Sequence, residues 1–299
     1  MSIVVAGTVA LDDVKTPYGT AKEILGGSAT YFSLSASYFS KVGLIAVVGE
    51  DFPERYKEIF SKHGVSTEGL IQETGKTFRW SGEYRNNWNE AHTLKTDLNV
   101  LESFNPKVPS SYRHENYLFL ANIDPDIQKS VLHQMNHPKA IFCDSMNFWI
   151  QNKRKNLCQL IKHVRGIFLN ESEAKDLSKE QNILKSALKI QQMGPKIVCI
   201  KKGDEGAVLL NGKSIFFCPI YPWTRVKDPT GAGDSFAGGF LGYLSRCRRI
   251  NDKNLRIATI YGSVMASFAV EDFSIKRLVN LRQGDIEDRF VKLRQATKF

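Results

Sequence analysis

The stretch Asp228-Pro-Thr-Gly-Ala-Gly-Asp-Ser-Phe-Ala-Gly-Gly-Phe240 carries the most chemistry in this chain. Gly231 and Gly233 permit positive φ and a close backbone approach to a ligand. The small, apolar run that follows suits a buried helix, and a glycine turn opening a helix presents unpaired N–H groups to an anion. Asp234 falls in the first turn of that helix. One role for it is structural, a carboxylate stabilised at a helix start by the macrodipole. The other is chemical. With a phosphoryl group on the amides of Gly231, Ala232 and Gly233, the Asp234 carboxylate can accept the proton of an attacking hydroxyl. The dipole keeps it ionised and therefore a weak base, which phosphoryl transfer tolerates because positioning and charge stabilisation carry most of the catalysis.

Rival patterns lack an essential part. Gly75-Lys76-Thr77 and Gly212-Lys213-Ser214 echo the end of a P-loop, but Leu70 and Ala207 stand where its first glycine is required. The Gly231–Phe236 run has no third glycine for a dinucleotide fingerprint. The histidines show no metal spacing with carboxylates or cysteines, and His133 and His137 share a helix face without a third ligand nearby. The cysteines form no CxxC pair, which fits a reducing, cytoplasmic compartment.

The elements that must position these residues follow an α/β rhythm. Ile3–Thr8 reads as a buried strand, and Gly26-Gly27 precedes helical spacing over Ser28–Ser40. Leu44–Val48 is a second strand, and Glu54–His63 a helix closed by Gly64. Such alternation argues for a parallel sheet covered by helices. From Gly69 to about Leu98 the pattern changes. Phe78–Tyr84 alternates bulky and polar residues, and Asn86-Asn-Trp-Asn89 supplies a turn before Ala91–Lys95. This predicts short antiparallel strands inserted as a lid. The rhythm returns with strands at Tyr117–Ala121, Ala140–Cys143, Gly166–Leu169 and Ile197–Lys201. Asn211-Gly212 then signals a hairpin between Ala207–Leu210 and Ser214–Cys218. From Ala232 onward the chain reads mostly helical.

With 299 residues, 42% hydrophobic and 24% charged, the composition is that of a globular protein. No run approaches the length of a membrane span, and Met1–Thr8 has no basic leader. The formal charge of +10 raises the question of nucleic acid, but the basic residues are scattered and the densest cluster is only Arg246-Cys-Arg-Arg249. A solvated basic surface that helps recruit anionic substrates is the expectation.

The Asp228–Phe240 stretch resembles the C-terminal signature of the PfkB, or ribokinase-like, carbohydrate kinases. Asn170-Glu-Ser-Glu173, just after a strand, is similar to that family's Asn-x-x-Glu motif, which helps organise Mg2+ through water. Gly7-Thr-Val-Ala-Leu-Asp12 and Gly26-Gly27-Ser28 resemble its substrate-contacting strand and double-glycine turn. The order matches across nearly the whole chain. The resemblance implies a three-layer α/β/α fold with a small β-sheet lid, one kinase domain over 1–299, and lid strands at approximately 10–25 and 70–98. It also implies ATP and Mg2+.

Residue by residue, the resemblance makes Asp234 the base and Gly231, Ala232 and Gly233 the anion hole. It puts Asn170 and Glu173 on the metal–phosphate side. Lys201, Gly203 and Gly206 match the family's strand-end turn against the nucleotide phosphates, with a plain surface turn as the alternative. Gly262 and Ser263 fall where the family lines the adenine pocket, or else pack helices. Asp228 and Thr230 match positions that in some members help bind a monovalent cation such as K+. Asp12 matches the carboxylate that grips acceptor hydroxyls, beside Asp13 as a loop residue. Many sugar-kinase members carry Asn a few residues after the double glycine. Here Tyr31 stands near that place, which implies a more aromatic acceptor pocket around Gly26, Gly27 and Ser28. Asn147, in Asp144-Ser-Met-Asn-Phe-Trp149, is a further pocket candidate, its segment otherwise a loop packing aromatics into the core.

The implied activity is ATP-dependent transfer of a phosphoryl group to a hydroxyl of a small carbohydrate. An adenosine-like nucleoside acceptor is the alternative, with Tyr31, Trp80 and Phe148 as stacking surfaces, and phosphosugars are a third group, met by Arg79 or Arg85. A non-catalytic ligand sensor on the same fold is the rival from another class. A homodimer through the lid is expected, with neither membrane nor nucleic acid as partner.

Overall fold

In β1 (Ile3–Ala6), Ile3 and Val5 face one apolar core while Val4 and Ala6 face another. A parallel strand covered by helices on both sides requires this pattern. The computed structural model describes residues 3–85, 87–89, 91–222 and 224–297. Asn86, one of the expected turn asparagines, and the opening Met1-Ser2 lie outside them.

The chain leaves β1 for a hairpin, β2 (Ala10–Thr16) and β3 (Gly19–Gly26), then forms α1 (Ser28–Ser37), β4 (Val42–Gly49), α2 (Glu54–Lys62) and β5 (Val65–Glu73). Next come β6 (Arg79–Glu83) and β7 (His92–Asp97). The α/β rhythm resumes with β8 (Tyr117–Leu120), α3 (Pro125–Gln134), β9 (Ala140–Asp144), α4 (Asn147–Asn152), α5 (Arg154–Leu160), β10 (Gly166–Asn170), α6 (Glu171–Ser178), α7 (Ile183–Gln192) and β11 (Ile197–Lys201). The hairpin β12 (Ala207–Asn211) and β13 (Ser214–Cys218) precedes α8 (Ala232–Ser245), α9 (Asp252–Ala269) and α10 (Gln283–Ala296).

Nine strands form the large sheet in the order β13-β12-β11-β10-β9-β8-β1-β4-β5, and four form a small one, β3-β2-β6-β7. Buried residues of α1, α8, α9 and α10 fill one core of the large sheet, and those of α3, α5, α6 and α7 fill the other. Helix starts are written locally. Asp124 accepts from the Asp126 amide ahead of Pro125, and Asn182 caps α7, each satisfying N–H groups that have no partner within the helix.

The structure departs from the expected pattern in four places. β5 is the edge of the large sheet, so the second part of the insertion begins only at Arg79. β2 pairs with β6 in parallel, and only the flanking pairs are antiparallel. The β12–β13 turn is Gly212-Lys213, one residue later than predicted, because Asn211 pairs with Ser214 and Gly212 supplies φ +58°. Finally, α1 stops at Ser37.

Candidate active site

Strands β1, β8, β9, β10 and β11 run parallel, so their carboxyl ends share one edge, where open α/β sheets bind ligands. Register sets Asp144 beside Phe168 and Asn170 beside Lys201. Lys201 Nζ donates to Asp144 Oδ2 at 2.8 Å, with the two side chains 16% and 4% exposed. The other Asp144 oxygen accepts from the Ser145 amide at 2.8 Å. Next to this pair, Asn170 and Glu173 close a capping box at the start of α6. Glu173 donates its N–H to Asn170 Oδ1 at 2.8 Å, and the Asn170 amide donates to Glu173 Oε2 at 2.7 Å. Their first function is therefore to start a helix, and both stand beside Lys201.

The Gly231 turn opens α8. Gly231 has φ +74°, and a Cβ there would lie 2.3 Å from the ring of Tyr31. Asp228, in the preceding loop, accepts from the Thr230 amide at 2.9 Å and the Ser274 amide at 3.3 Å, which fixes the approach to the turn. The Ala232 N–H is turned onto the Pro229 carbonyl at 3.1 Å. Among the described residues nothing accepts from the Gly231 and Gly233 amides. Gly231 through Asp234 are all partly open to solvent. Lys201 Nζ fills the space a Gly233 Cβ would occupy, 2.8 Å from it. The turn and the strand-end lysine are thus in contact.

On the other side of the turn, β2 brings in Asp12, which is 4% exposed. Its Oδ1 is buried without a hydrogen-bond partner. A Cβ on Gly26 would fall 1.8 Å from Asp12 Oδ2, so the first glycine of the pair makes room for this carboxylate. Gly27, at φ +95°, turns the chain into α1. Ser28 is occupied internally, its amide and hydroxyl joined to Thr8 and its Oγ donating to the Asn122 carbonyl at 3.0 Å. Tyr31 is buried beneath the turn, with an unpartnered hydroxyl, and so offers no open stacking face. Tyr84, just past β6, accepts at its hydroxyl from Thr230 Oγ1 at 3.3 Å.

The remaining sequence candidates scatter around this centre. Asn147 Nδ2 donates to Ser172 Oγ, which donates to Asn170 Oδ1, so Asn147 stands on the Asn170 side and not beside Asp12. Gly203 and Gly206 hold φ of +56° and +88° in the turn after β11. A cavity of about 400 Å³ opens beside that turn, lined among others by Lys202, Glu205, Val208 and Pro219. Ser263 Oγ donates to the Pro219 carbonyl, while Gly262 lets α9 approach the Phe236 carbonyl of α8. A larger groove of about 560 Å³ between α9 and α10 shares no lining residue with these groups.

Three carboxyls here are held well above their ordinary range. Burial, and then the neighbouring Asp144 charge, push Asp234 up to about 7 against the pull of Lys201, so the helix start does not keep it ionised and weakly basic as the sequence predicts. Burial and Asp228 raise Asp12 to about 8, and burial and Asp144 raise Glu173 to about 8. In the unfolded chain these groups ionise near 3.8 and 4.5. Across the interval between, the native state keeps protons that the unfolded chain has lost. Stability is therefore greatest on the acid side of that window and falls as pH rises through 7 to 8. Thermal melts of ligand-free protein from about pH 5 to about pH 8.5 should show Tm declining, and Asp12→Asn should flatten the decline. A Tm that climbs steadily to the alkaline end contradicts these environments.

Sequence reasoning missed three contributors. Asp144 stood inside a quoted segment, but its pairing with Lys201 spans 57 positions. Tyr84 was only the end of an alternating strand. Asn89 donates to Asp204 Oδ1 at 3.0 Å, linking the loop after β6 to the turn after β11, and no local pattern announced it.

Residues 7–277 match the model of the pfkB family of carbohydrate kinases. A cytidine kinase of Thermococcus kodakarensis is 27% identical over 258 residues, covering 84% of this chain and 91% of that protein. Among solved structures, the nucleoside kinase of Methanocaldococcus jannaschii superposes with a TM-score of 0.78 at 20% identity, covering 98% of this chain and 99% of that one. A putative ribokinase II of E. coli, solved in complex with ATP and Mg2+, gives 0.80 at 16% identity, over 97% and 99% of the two chains.

Proposed function

The chain belongs to the pfkB family of carbohydrate kinases, and from that premise we propose that it transfers the γ-phosphoryl group of ATP to a hydroxyl of an uncharged, ribose-bearing acceptor. The observation that carries the acceptor class is the charge around Asp12. This carboxyl has an unpartnered buried oxygen and shares its surroundings with Asp228, Asp13 and Asp234. The two arginines considered for a phosphosugar are already engaged. Arg79 bonds Glu23 and Asp51 at 2.6 and 2.9 Å, and Arg85 bonds Glu83. A second phosphate brought here would find a cluster of acidic groups and no free cation among the arginines named, whereas a hydroxyl would satisfy the unpartnered Asp12 oxygen. The similarity to a protein named cytidine kinase favours a nucleoside over a free sugar.

In this reading Asp12 orients the acceptor and Asp234 receives its proton. The hydroxyl oxygen bonds to the γ-phosphorus, and the bond to the bridging oxygen breaks with its electron pair left on ADP. The Gly231 and Gly233 amides face the phosphoryl oxygens. Lys201, Gly203 and Gly206 border the nucleotide, and Gly262 and Ser263 back its base. No group of three His, Cys, Asp or Glu side chains among the described residues could hold a metal directly. Asp144, Glu173 and Asp234 beside Lys201, two of them releasing their protons only near pH 7 to 8, would hold Mg2+ through water together with Asn170. When bound, it offsets charge on the phosphates. A monovalent cation such as K+ at Asp228 and Thr230 belongs to the same proposal.

ADP release over cytidine, other nucleosides, free pentoses and hexoses, and phosphosugars tests the acceptor. Turnover should be greatest with a neutral nucleoside, and Asp12→Ala should lower kcat/KM for it by about 10-fold, the cost of leaving the acceptor hydroxyl without its buried partner. A preference for phosphosugars would overturn the charge argument.

A further inference from the structure

We propose that Lys201 is a catalytic residue of this chain, its ammonium bearing on the transferring phosphoryl group, and that Asp144 is the positioning residue that aims it. The inference rests on the kinase reading above and adds a residue role to it.

Lys201 ends β11, and its Nζ lies where a side chain on Gly233 would begin, 2.8 Å from that Cβ position. It therefore stands against the Gly231 turn and within electrostatic reach of Asp234. Gly233 has a requirement beyond backbone freedom, since any Cβ would displace the ammonium. Asp144 holds this arrangement rigidly, with one oxygen fixed by the Ser145 amide and the other on Lys201. The carboxylate is almost wholly buried, so the pair has little freedom to wander.

A purely structural account fits less well. A buried ion pair is weak evidence for stability, because apolar residues of similar volume usually do as well. Here the cation faces three carboxyls, Asp144, Glu173 and Asp234, and borders the one turn built to receive an anion. An ammonium has three N–H donors. One can stay on Asp144 while another meets an equatorial oxygen of the phosphoryl group. As the acceptor oxygen bonds to phosphorus, its proton goes to Asp234 and the leaving electron pair stays on ADP. Lys201 transfers no proton. It offsets charge spread over the equatorial oxygens, where a preorganised cation is most effective.

The test uses the full chain with ATP, Mg2+ and the best acceptor found. Lys201→Met should lower kcat by about 10²–10³-fold and move the acceptor KM by less than about threefold. A readout independent of turnover is the affinity for ADP with aluminium fluoride, a mimic of the transferring group. Lys201→Met should weaken it at least tenfold relative to ADP alone, and Lys201→Arg should restore part of the loss. If the lone Asp144 carboxylate prevents folding, the Asp144→Asn/Lys201→Met double variant removes it and is read in the same way. A folded variant with kcat within about threefold of wild type, or equal weakening of ADP and ADP–fluoride, overturns the proposal. Wild-type protein that phosphorylates no acceptor fails the kinase reading. An active wild type beside an unimpaired Lys201→Met fails only this one.

Discussion

Asp234→Asn lowers kcat by about 10²–10⁴-fold, the range for loss of a positioned general base, and leaves the fold in place. The amide has the shape of the carboxyl but cannot take a proton, so the acceptor must lose its own to water. Nothing in the α8 start depends on the charge, because the helix is opened by the Gly231 turn and has no side-chain cap. The substitution should even raise Tm at neutral pH. Burial and the adjacent Asp144 make an ionised Asp234 costly to hold in the folded state, which is why its pKa is pushed up to about 7. This is the stability–activity trade-off of a working site. Steady-state ADP release and thermal melts, run side by side, read both halves. Wild-type turnover in the variant would remove Asp234 from the chemistry. A large drop in Tm would show that its contribution is structural.

Gly231→Val is the second large effect, and its cause is backbone geometry. Gly231 sits at φ +74°, a left-handed conformation that costs a β-carbon residue about 1–2 kcal/mol before any contact is counted. The new Cβ would also fall 2.3–2.4 Å from three atoms of the Tyr31 ring. That ring is 1% exposed and packed in the core, so it has nowhere to go. The turn must move instead, taking the Gly231 and Gly233 amides with it. We expect stability to fall by about 2–4 kcal/mol in urea titrations and kcat to fall by about 10²–10³-fold, as when an anion-hole donor is lost. Tyr31→Ala in the same chain removes the clash but should restore little of the stability or activity, since the strained φ remains and the emptied core itself costs about 3–5 kcal/mol. Full activity in Gly231→Val would mean that the turn does not face the phosphate.

What was legible in the sequence was local. The Gly231 turn and Asp234 could be read because the spacing of two glycines, a carboxylate and a small apolar run is itself the structural requirement. The parallel sheet could be read because strand and helix periods alternate along the chain. Asn170 and Glu173 were visible as a pair three residues apart, although their capping box is also sufficient reason for that spacing. The Lys201–Asp144 pair depends instead on β10 lying between β9 and β11, a matter of sheet order that no single window contains. Tyr84 reaches Thr230 only because β6 runs parallel to β2, where antiparallel strands were expected. The sequence offers Tyr31 as an open aromatic surface. Its helix turns that face under Gly231, and the sequence of α1, apolar or small on nearly every side, does not say which face is covered. The β12–β13 turn slipped by one residue for a related reason. Asn211 and Gly212 both suit a turn, and only the register of the paired strands decides between them.

The most direct measurement is phosphorus NMR of the purified protein with ATP, Mg2+ and cytidine or another neutral nucleoside. The account predicts that ATP signals give way to ADP and a new phosphate monoester in equal amounts, dependent on the nucleoside. Orthophosphate in place of the ester, or ATP untouched by every uncharged acceptor, would contradict it.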